Sequence, residues 1–250
     1  MSRTNLKPRG YAGDSEMMRM IYSNDYEGES TFAKLIHKHP IEQPGAEAVR
    51  NRRNTITSWI NSNRKKRKKE APLQVLSVAC GPANELLDVF TTKTAINELS
   101  FTLFDQDSYA LLEAARLVDD IEKNIGKKLS LEYLRESVRT MIVAPQLSTR
   151  WGQFHLIYSM GLFDYLTPPV AKAVLGKIYQ LLMPGGELMV GNFHESNPSR
   201  HYMDYWLDWP IYYRSEDDLR ELAADINPAE LSIDADKTGI QLFFRIKKGA

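Results

Sequence analysis

The sequence predicts an α/β fold, an open and mostly parallel sheet with helices on both faces. Three observations carry this. Val75 to Ala79 is a short apolar run of buried-strand type, stopped by Cys80-Gly81-Pro82 and followed by a helical stretch over Ala83 to Phe90. Phe101 to Phe104 is a second apolar run, ending at Asp105, with a helix over Ser108 to Asn124 behind it. Further on, strands at Phe154 to Ser159 and Glu187 to Gly191 are separated by a helix that opens at Pro168-Pro169. Strands alternating with helices pair in parallel.

The first turn is the place for a ligand. A strand that enters a helix through a tight glycine turn makes the binding crevice of an open α/β sheet. Gly81 has no Cβ, so a ligand can lie against its backbone. Asp105 stands at the tip of the next strand, 24 residues beyond Gly81. A carboxylate there accepts from the two hydroxyls of a ribose and repels a phosphate. The turn lacks the Gly-x-Gly-x-x-Gly of dinucleotide enzymes and the Gly-Lys-Ser/Thr of a phosphate loop. The combination favours a ribose-bearing ligand without pyrophosphate.

From Leu73 to Phe193 four ordered segments resemble the motifs of class I S-adenosylmethionine-dependent methyltransferases. They are Val75-Leu-Ser-Val-Ala-Cys-Gly-Pro-Ala-Asn-Glu85, then Asp105, then Phe154-His-Leu-Ile-Tyr-Ser-Met160, then Leu182-Met-Pro-Gly-Gly-Glu-Leu-Met-Val190. The resemblance implies a Rossmann-like sheet of seven strands, the last antiparallel, and S-adenosylmethionine as cofactor with S-adenosylhomocysteine as product. It also implies cofactor contacts at Ala79, Gly81, Pro82, Glu85, Asp105, Gln106 and Asp107. Further contacts are implied at Glu136 and Ser137 beside the adenine, and at Ser159 and Gly161 near the sulfonium.

The chain of 250 residues is long enough for one large α/β domain and buries most of its apolar surface without disulfides or metals. Its 32 basic and 32 acidic residues balance, so net charge points to no polyanionic partner. The distribution is uneven: residues 1–70 carry 15 basic and 8 acidic side chains. The single cysteine, Cys80, excludes a disulfide framework and a cysteine-rich zinc site, and no metal is expected. It reads as a small residue fitting a tight turn. No apolar amino-terminal segment resembles a signal peptide, and no run approaches the roughly 18 apolar residues of a membrane span. The expected location is the cytoplasm.

Residues 1–70 are expected to form a helical lid and residues 71–250 the catalytic domain. Pro8, Gly10 and Gly13 make a turn-rich start, and Asp14 or Ser15 caps a helix carrying Met17, Met18, Met20 and Ile21. Two readings stand: an amphipathic arm packed on the domain, or a lid over the cofactor. The lid would bring Tyr11 or Tyr22 near the transferred methyl and Arg9 near a carboxylate. Lys7-Pro-Arg-Gly-Tyr-Ala-Gly-Asp14 followed by Glu16-Met-Met18 resembles the extracellular-factor 3-hydroxypalmitic acid methyl ester biosynthesis proteins. Helices follow at Phe32 to His39 and at Glu47 to Asn61, the latter with Val49, Ile56, Trp59 and Ile60 at helical spacing. The basic run Arg64 to Lys69 reads as a solvated connector, because it lacks the interleaved aromatics that stack bases.

Beyond the fourth strand, Asp164 and Tyr165 either cap and pack the next helix or face the reacting centre. His155 stands where many members of the family carry Asp, and a structural role is expected of it. Asn192 and His194 follow the fifth strand; His194 is the general-base candidate by residue type. An insertion at 197–214 is dense in aromatics, among them Tyr202, Tyr205 and Trp206. Either it walls an apolar acceptor, with Arg200, His201 or Arg214 on an anionic end, or it packs as a helix over the sheet edge. Ser215 opens a capped helix, and Leu231 to Ile233 with Ile240 to Ile246 resemble the closing hairpin of the methyltransferase sheet.

The resemblance of the arm to the methyl ester biosynthesis proteins implies methyl transfer to the carboxyl oxygen of a hydrophobic or fatty hydroxy acid, a small molecule. A carboxylate is already ionised near neutral pH and needs no strong base. Three rivals stand beside it: methylation of a phenol or amine, for which His194 would be needed; an RNA or protein methyltransferase using the basic run; and a non-catalytic cofactor-binding regulator. The sequence leaves the oligomeric state open.

Overall fold

The computed structural model describes residues 2–67 and 71–250. A short helix α1 (Ser2–Leu6) starts the arm, which the sequence pattern did not foresee; α2 (Ser15–Ser23) and α3 (Thr31–Ile41) follow. Asp14 is the N-cap of α2 and accepts from Met17 N at 2.9 Å. Helix α4 runs from Pro44 to Lys66, longer at both ends than its apolar periodicity implied. Proline at its first turn fixes the start. Its last turn takes up Arg64 to Lys66 of the basic run, with Arg64 2.8 Å from Glu98 and Lys65 and Lys66 exposed. Lys68 and Lys69 of that run lie outside the described residues.

The remaining elements alternate as expected: β1 (Leu73–Val78), α5 (Leu86–Val89), α6 (Lys93–Glu98), β2 (Leu99–Asp105), α7 (Ser108–Ile125), β3 (Ser130–Arg135), α8 (Val138–Val143), α9 (Leu147–Trp151), β4 (Phe154–Ser159), α10 (Pro168–Gln180) and β5 (Leu182–Phe193). Then come α11 (Glu216–Leu222), β6 (Glu230–Ala235) and β7 (Gln241–Lys247). The seven strands form one sheet in the order β3-β2-β1-β4-β5-β7-β6, parallel throughout except for β7, which runs antiparallel to β5 and β6. This is the seven-stranded Rossmann-like fold that the sequence implied.

Two local departures matter for the site. The helix expected from Ala83 to Phe90 is confined to Leu86–Val89, because the backbone at Ala79, Gly81 and Ala83 is left-handed (φ 54°, 56° and 51°). The Pro184-Gly185-Gly186 turn lies inside β5, where the register against β4 shifts. A Cβ at Gly186 would meet Met183 O at 2.9 Å, so only glycine fits that shift.

Strand alternation sends Val75 and Leu103 to one face and Leu76 and Phe104 to the other, giving two apolar cores. Helices α4, α5 and α7 cover the first; α8, α10 and α11 cover the second. A third cluster joins α2, α3 and α4 to the insertion through Met17, Met18, Ile21, Ile41, Val49, Met203, Leu207 and Trp209. Residues Tyr202–Trp206 of the insertion form one π-helical turn.

Candidate active site

A cavity of about 570 Å³ lies at the carboxyl ends of β1, β2, β4 and β5, between the sheet and the arm. That is where the connections of an open α/β sheet leave a crevice. Its floor is the turn from Ala79 to Glu85. Asp105 shapes this floor: Oδ2 accepts from Gly81 N and Oδ1 from Asp107 N, both at 2.9 Å. Burial pushes the Asp105 carboxyl up, against the pull of those backbone donors. A Cβ at Gly81 would meet no protein atom within 4 Å, so the turn presents bare backbone to the cavity.

Glu85 is buried beside this turn and accepts from the Tyr158 hydroxyl at 2.6 Å. Burial raises its carboxyl despite that bond. Burial also pushes the Cys80 thiol well up, with Asp105 and Glu85 adding to the shift, which favours the protonated form.

The roof comes from the arm. Arg9, Gly10, Tyr11 and Gly13 line it, followed by Met17, Met18 and Tyr22 of α2. Tyr11 packs edge-on against Tyr165, ring centroids 6.2 Å apart, and Trp209 Nε1 donates to the Tyr165 hydroxyl at 2.7 Å. Burial raises both tyrosine hydroxyls above their ordinary range. Lys7 holds Asp208 at 2.5 Å, so the arm is tied to the insertion.

The structure brings many of the expected residues to this one cavity: Arg9, Tyr11, Tyr22, Ala79, Gly81, Pro82, Glu85, Asp105, Gln106, Gly161, Tyr165 and Tyr202 all line it. It places others outside the wall, for identifiable reasons. On β5, Phe193 faces the cavity, so its neighbours Asn192 and His194 point to the opposite face. Asn192 accepts from Arg214 at 2.5 Å and donates to Tyr212 O. His194 Nδ1 lies 2.6 Å from Ser196 Oγ and Nε2 3.4 Å from Glu216. Neither residue lines the cavity, against the general-base expectation for His194.

The same alternation turns Ser159 away while Tyr158 and Met160 face in. Asp107 caps α7, accepting from Tyr109 N at 2.8 Å. Glu136 is paired with Arg150, and Ser137 caps α8; Val138 reaches the cavity instead. Arg214 is buried, clamping Phe163 O and Leu166 O. Tyr205 and Trp206 are 81% and 64% exposed, on the outer side of the π-helical turn. Arg200 pairs with Asp204, and His201 stacks on Tyr205. His155 accepts from Gln74 N at 3.0 Å, the structural role expected of it.

Asp164, for which the sequence offers two roles, and Arg52, which is no candidate there, also line the wall. Asp164 is 5% exposed; Oδ1 accepts from Phe193 N at 2.7 Å, and burial pushes the carboxyl up to about 6. Arg52 is 7% exposed on α4. Its signal was in the sequence: it falls on the stripe set by Val49 and Ile56, a charge in an apolar row.

The residues present fit S-adenosylmethionine. The bare backbone at Gly81 admits close approach, the carboxylate of Asp105 stands at the edge of the same space, and apolar side chains close the remainder.

Comparison with known proteins agrees with this geometry. A search of curated proteins finds no match. Among solved structures, a possible exported protein of Bordetella parapertussis superposes with a TM-score of 0.71 at 16% identity, over 95% of this chain and 80% of that one. Magnesium protoporphyrin IX methyltransferase from Synechocystis PCC 6803, solved with S-adenosylhomocysteine bound, gives 0.61 at 10% identity, over 95% and 96%. The CurJ carbon methyltransferase gives 0.61 at 11% identity, over 100% and 71%. These likenesses establish the shared fold. The model of a family described as "Putative methyltransferase" matches residues 9–164, from the arm through the fourth strand to Asp164. The chain belongs to this methyltransferase family.

Proposed function

We propose that the protein is an S-adenosylmethionine-dependent methyltransferase that converts the carboxyl group of a hydrophobic or fatty hydroxy acid to its methyl ester. One observation carries the reading: the cavity that begins at the glycine turn continues into a chamber walled by Met17, Met18, Ile41, Val49, Met203 and Leu207. A hydrophobic acceptor can therefore be buried beside the cofactor. The arm segment whose residues resemble the methyl ester biosynthesis proteins forms the roof of this chamber.

When bound, the cofactor supplies an activated methyl group on a cationic sulfur. Asp105 would accept from the ribose hydroxyls, the Ala79–Glu85 turn would lie along the amino-acid end, and Gln106 and Val138 would flank the base. Residues 1–70 act in this proposal as a lid on the 71–250 domain, with Tyr11 and Tyr165 excluding water from the reacting centre. Desolvation and alignment are then the protein's main contributions, since a carboxylate acceptor needs no proton removed. The position of His194 outside the wall accords with this. A cytoplasmic setting belongs to the same proposal.

A second reading, a hydroxyl or amine acceptor, is favoured by Asp164. Its carboxyl lines the cavity with a pKa of about 6, suited to taking a proton near neutral pH. Product analysis separates the two. Incubation with S-adenosylmethionine and long-chain acids, including 3-hydroxy acids, should give a gain of one methyl that mild base removes. Product only from phenols or amines, abolished by Asp164→Asn, would replace the first reading with the second.

A further inference from the structure

We propose that Arg52 is the carboxylate anchor of this cavity, binding either the amino-acid end of the cofactor or the acid group of the acceptor. The assignment rests on the methyltransferase reading above and adds to it a residue and a ligand chemistry. Helix α4 places Gly45, Ala46, Val49, Arg52 and Ile56 on the face that lines the cavity, and Arg52 is the one charged member of that row. A guanidinium 7% exposed on such a face needs partners, because burying a charge without them is costly.

Its partners in the protein are incomplete. Nη1 donates to Met160 O at 2.9 Å, while among the described residues Nη2 meets only the Met18 thioether, at 3.3 Å. Nε is buried with no hydrogen-bond partner among the described residues. No carboxylate among the described residues forms an ion pair with it. Asp164 and Glu85 feel its charge only at longer range. Nε and Nη2 form one edge of the planar fork, the edge that receives a carboxylate through two parallel hydrogen bonds. The side chain covering this edge, Met18, is unbranched and adaptable, and it belongs to the arm. A carboxylate would replace a weak sulfur acceptor and satisfy Nε in one step. On the other side, a Cβ on Gly161 would stand 3.8 Å from Nη2, an ordinary contact distance, so Gly161 borders the same guanidinium.

The test uses the full chain and two matched ligand pairs, measured by titration calorimetry. The first pair is S-adenosylhomocysteine and its decarboxylated analogue; the second is hexadecanoic acid and its amide. Wild-type protein should prefer the carboxylate member of one pair. Arg52→Met, of similar length and uncharged, should weaken that member about 10- to 100-fold, the scale of charge-assisted hydrogen bonds, and leave its carboxylate-free partner unchanged. Arg52→Lys should recover only part of the loss, because a point charge lacks the fork. Loss in the first pair identifies the cofactor's carboxylate as the ligand; loss in the second identifies the acceptor's. Wild-type indifference within both pairs, or equal weakening of both members by Arg52→Met, overturns the assignment. Failure of wild-type protein to bind S-adenosylhomocysteine at all would instead refute the cofactor reading, and the acid pair would then decide the role of Arg52.

Discussion

Arg9 of the arm meets Glu113 of α7 at 3.0 Å, and its guanidinium also stands 3.6 Å from Asp107 and over the Tyr109 ring at 5.2 Å. This contact ties the roof of the cavity to the helix behind Asp105. The two side chains of the Arg9–Glu113 pair are 17% and 27% exposed, so water screens the pair only partly. Arg9→Met should therefore loosen the roof and speed release of S-adenosylhomocysteine by about fivefold, in line with roughly 1 kcal/mol for such a pair. Glu113→Gln should act in the same direction, and the double variant should show less than the sum. Stopped-flow release rates check this; an unchanged rate in Arg9→Met would mean the arm is held without this pair.

Gly13 gives a sharper test of the same roof. A Cβ there would meet the Tyr165 hydroxyl at 2.3 Å and Trp209 Cζ2 at 2.4 Å. The two side chains are joined by the hydrogen bond from Trp209 Nε1 to the Tyr165 hydroxyl and cannot easily part. Gly13→Ala should cost about 1–3 kcal/mol of arm docking, the usual scale of overpacking. The expected result is weaker cofactor binding and faster proteolysis within residues 2–14, with the sheet domain intact by circular dichroism.

Asp164 sets a pH dependence whose sign follows from its shift. Its folded pKa of about 6 lies above the ordinary carboxyl value, because burial disfavours the charged form. The folded state therefore holds the proton more tightly than the unfolded chain. This favours folding at low pH, and the advantage is lost as pH rises from about 4 through about 6. Asp164→Asn stays neutral and can still accept from Phe193 N. Between pH 5 and 7.5 wild type should lose about 1 kcal/mol of stability relative to the variant. Thermal unfolding at both pH values measures it, and a constant difference would remove the proposed shift.

The fold was open to reading because its signals are local. Val75–Ala79, the turn at Gly81 and Asp105 at the next strand tip lie within one strand-helix-strand unit, where chemistry and order are set by neighbours in sequence. The residues expected on the cavity floor come together at the ends of β1 and β2 for the same reason. The errors fall where a side chain's direction depends on strand register. Asn192, His194 and Ser159 were assigned from position near a strand end, yet each lies one residue from a side chain that does face inward. Asp164 was left between two roles because nothing local reveals that Phe193 N bonds to it from 29 residues away. Arg52 was the readable omission, since a charge within an apolar stripe of α4 needs no tertiary information to notice.

Asp105 and His194 together test how the cavity divides function from support. His194 bonds to Ser196 and Glu216 outside the wall, so His194→Ala should leave methyl transfer within about twofold of wild type, the ordinary spread for a surface change. Asp105 holds Gly81 N and Asp107 N with its two oxygens. Asp105→Asn turns one oxygen into a donor that must face a backbone N–H, and a buried donor left unpaired costs about 1–3 kcal/mol. Either the Gly81 turn or the start of α7 then loses its tie. The ribose site loses an acceptor as well, so S-adenosylhomocysteine should bind at least about 10-fold more weakly. Calorimetry and product mass on the two variants give the answer. Activity lost in His194→Ala with cofactor binding intact would place a proton-transfer step at His194 and favour a hydroxyl or amine acceptor over a carboxylate.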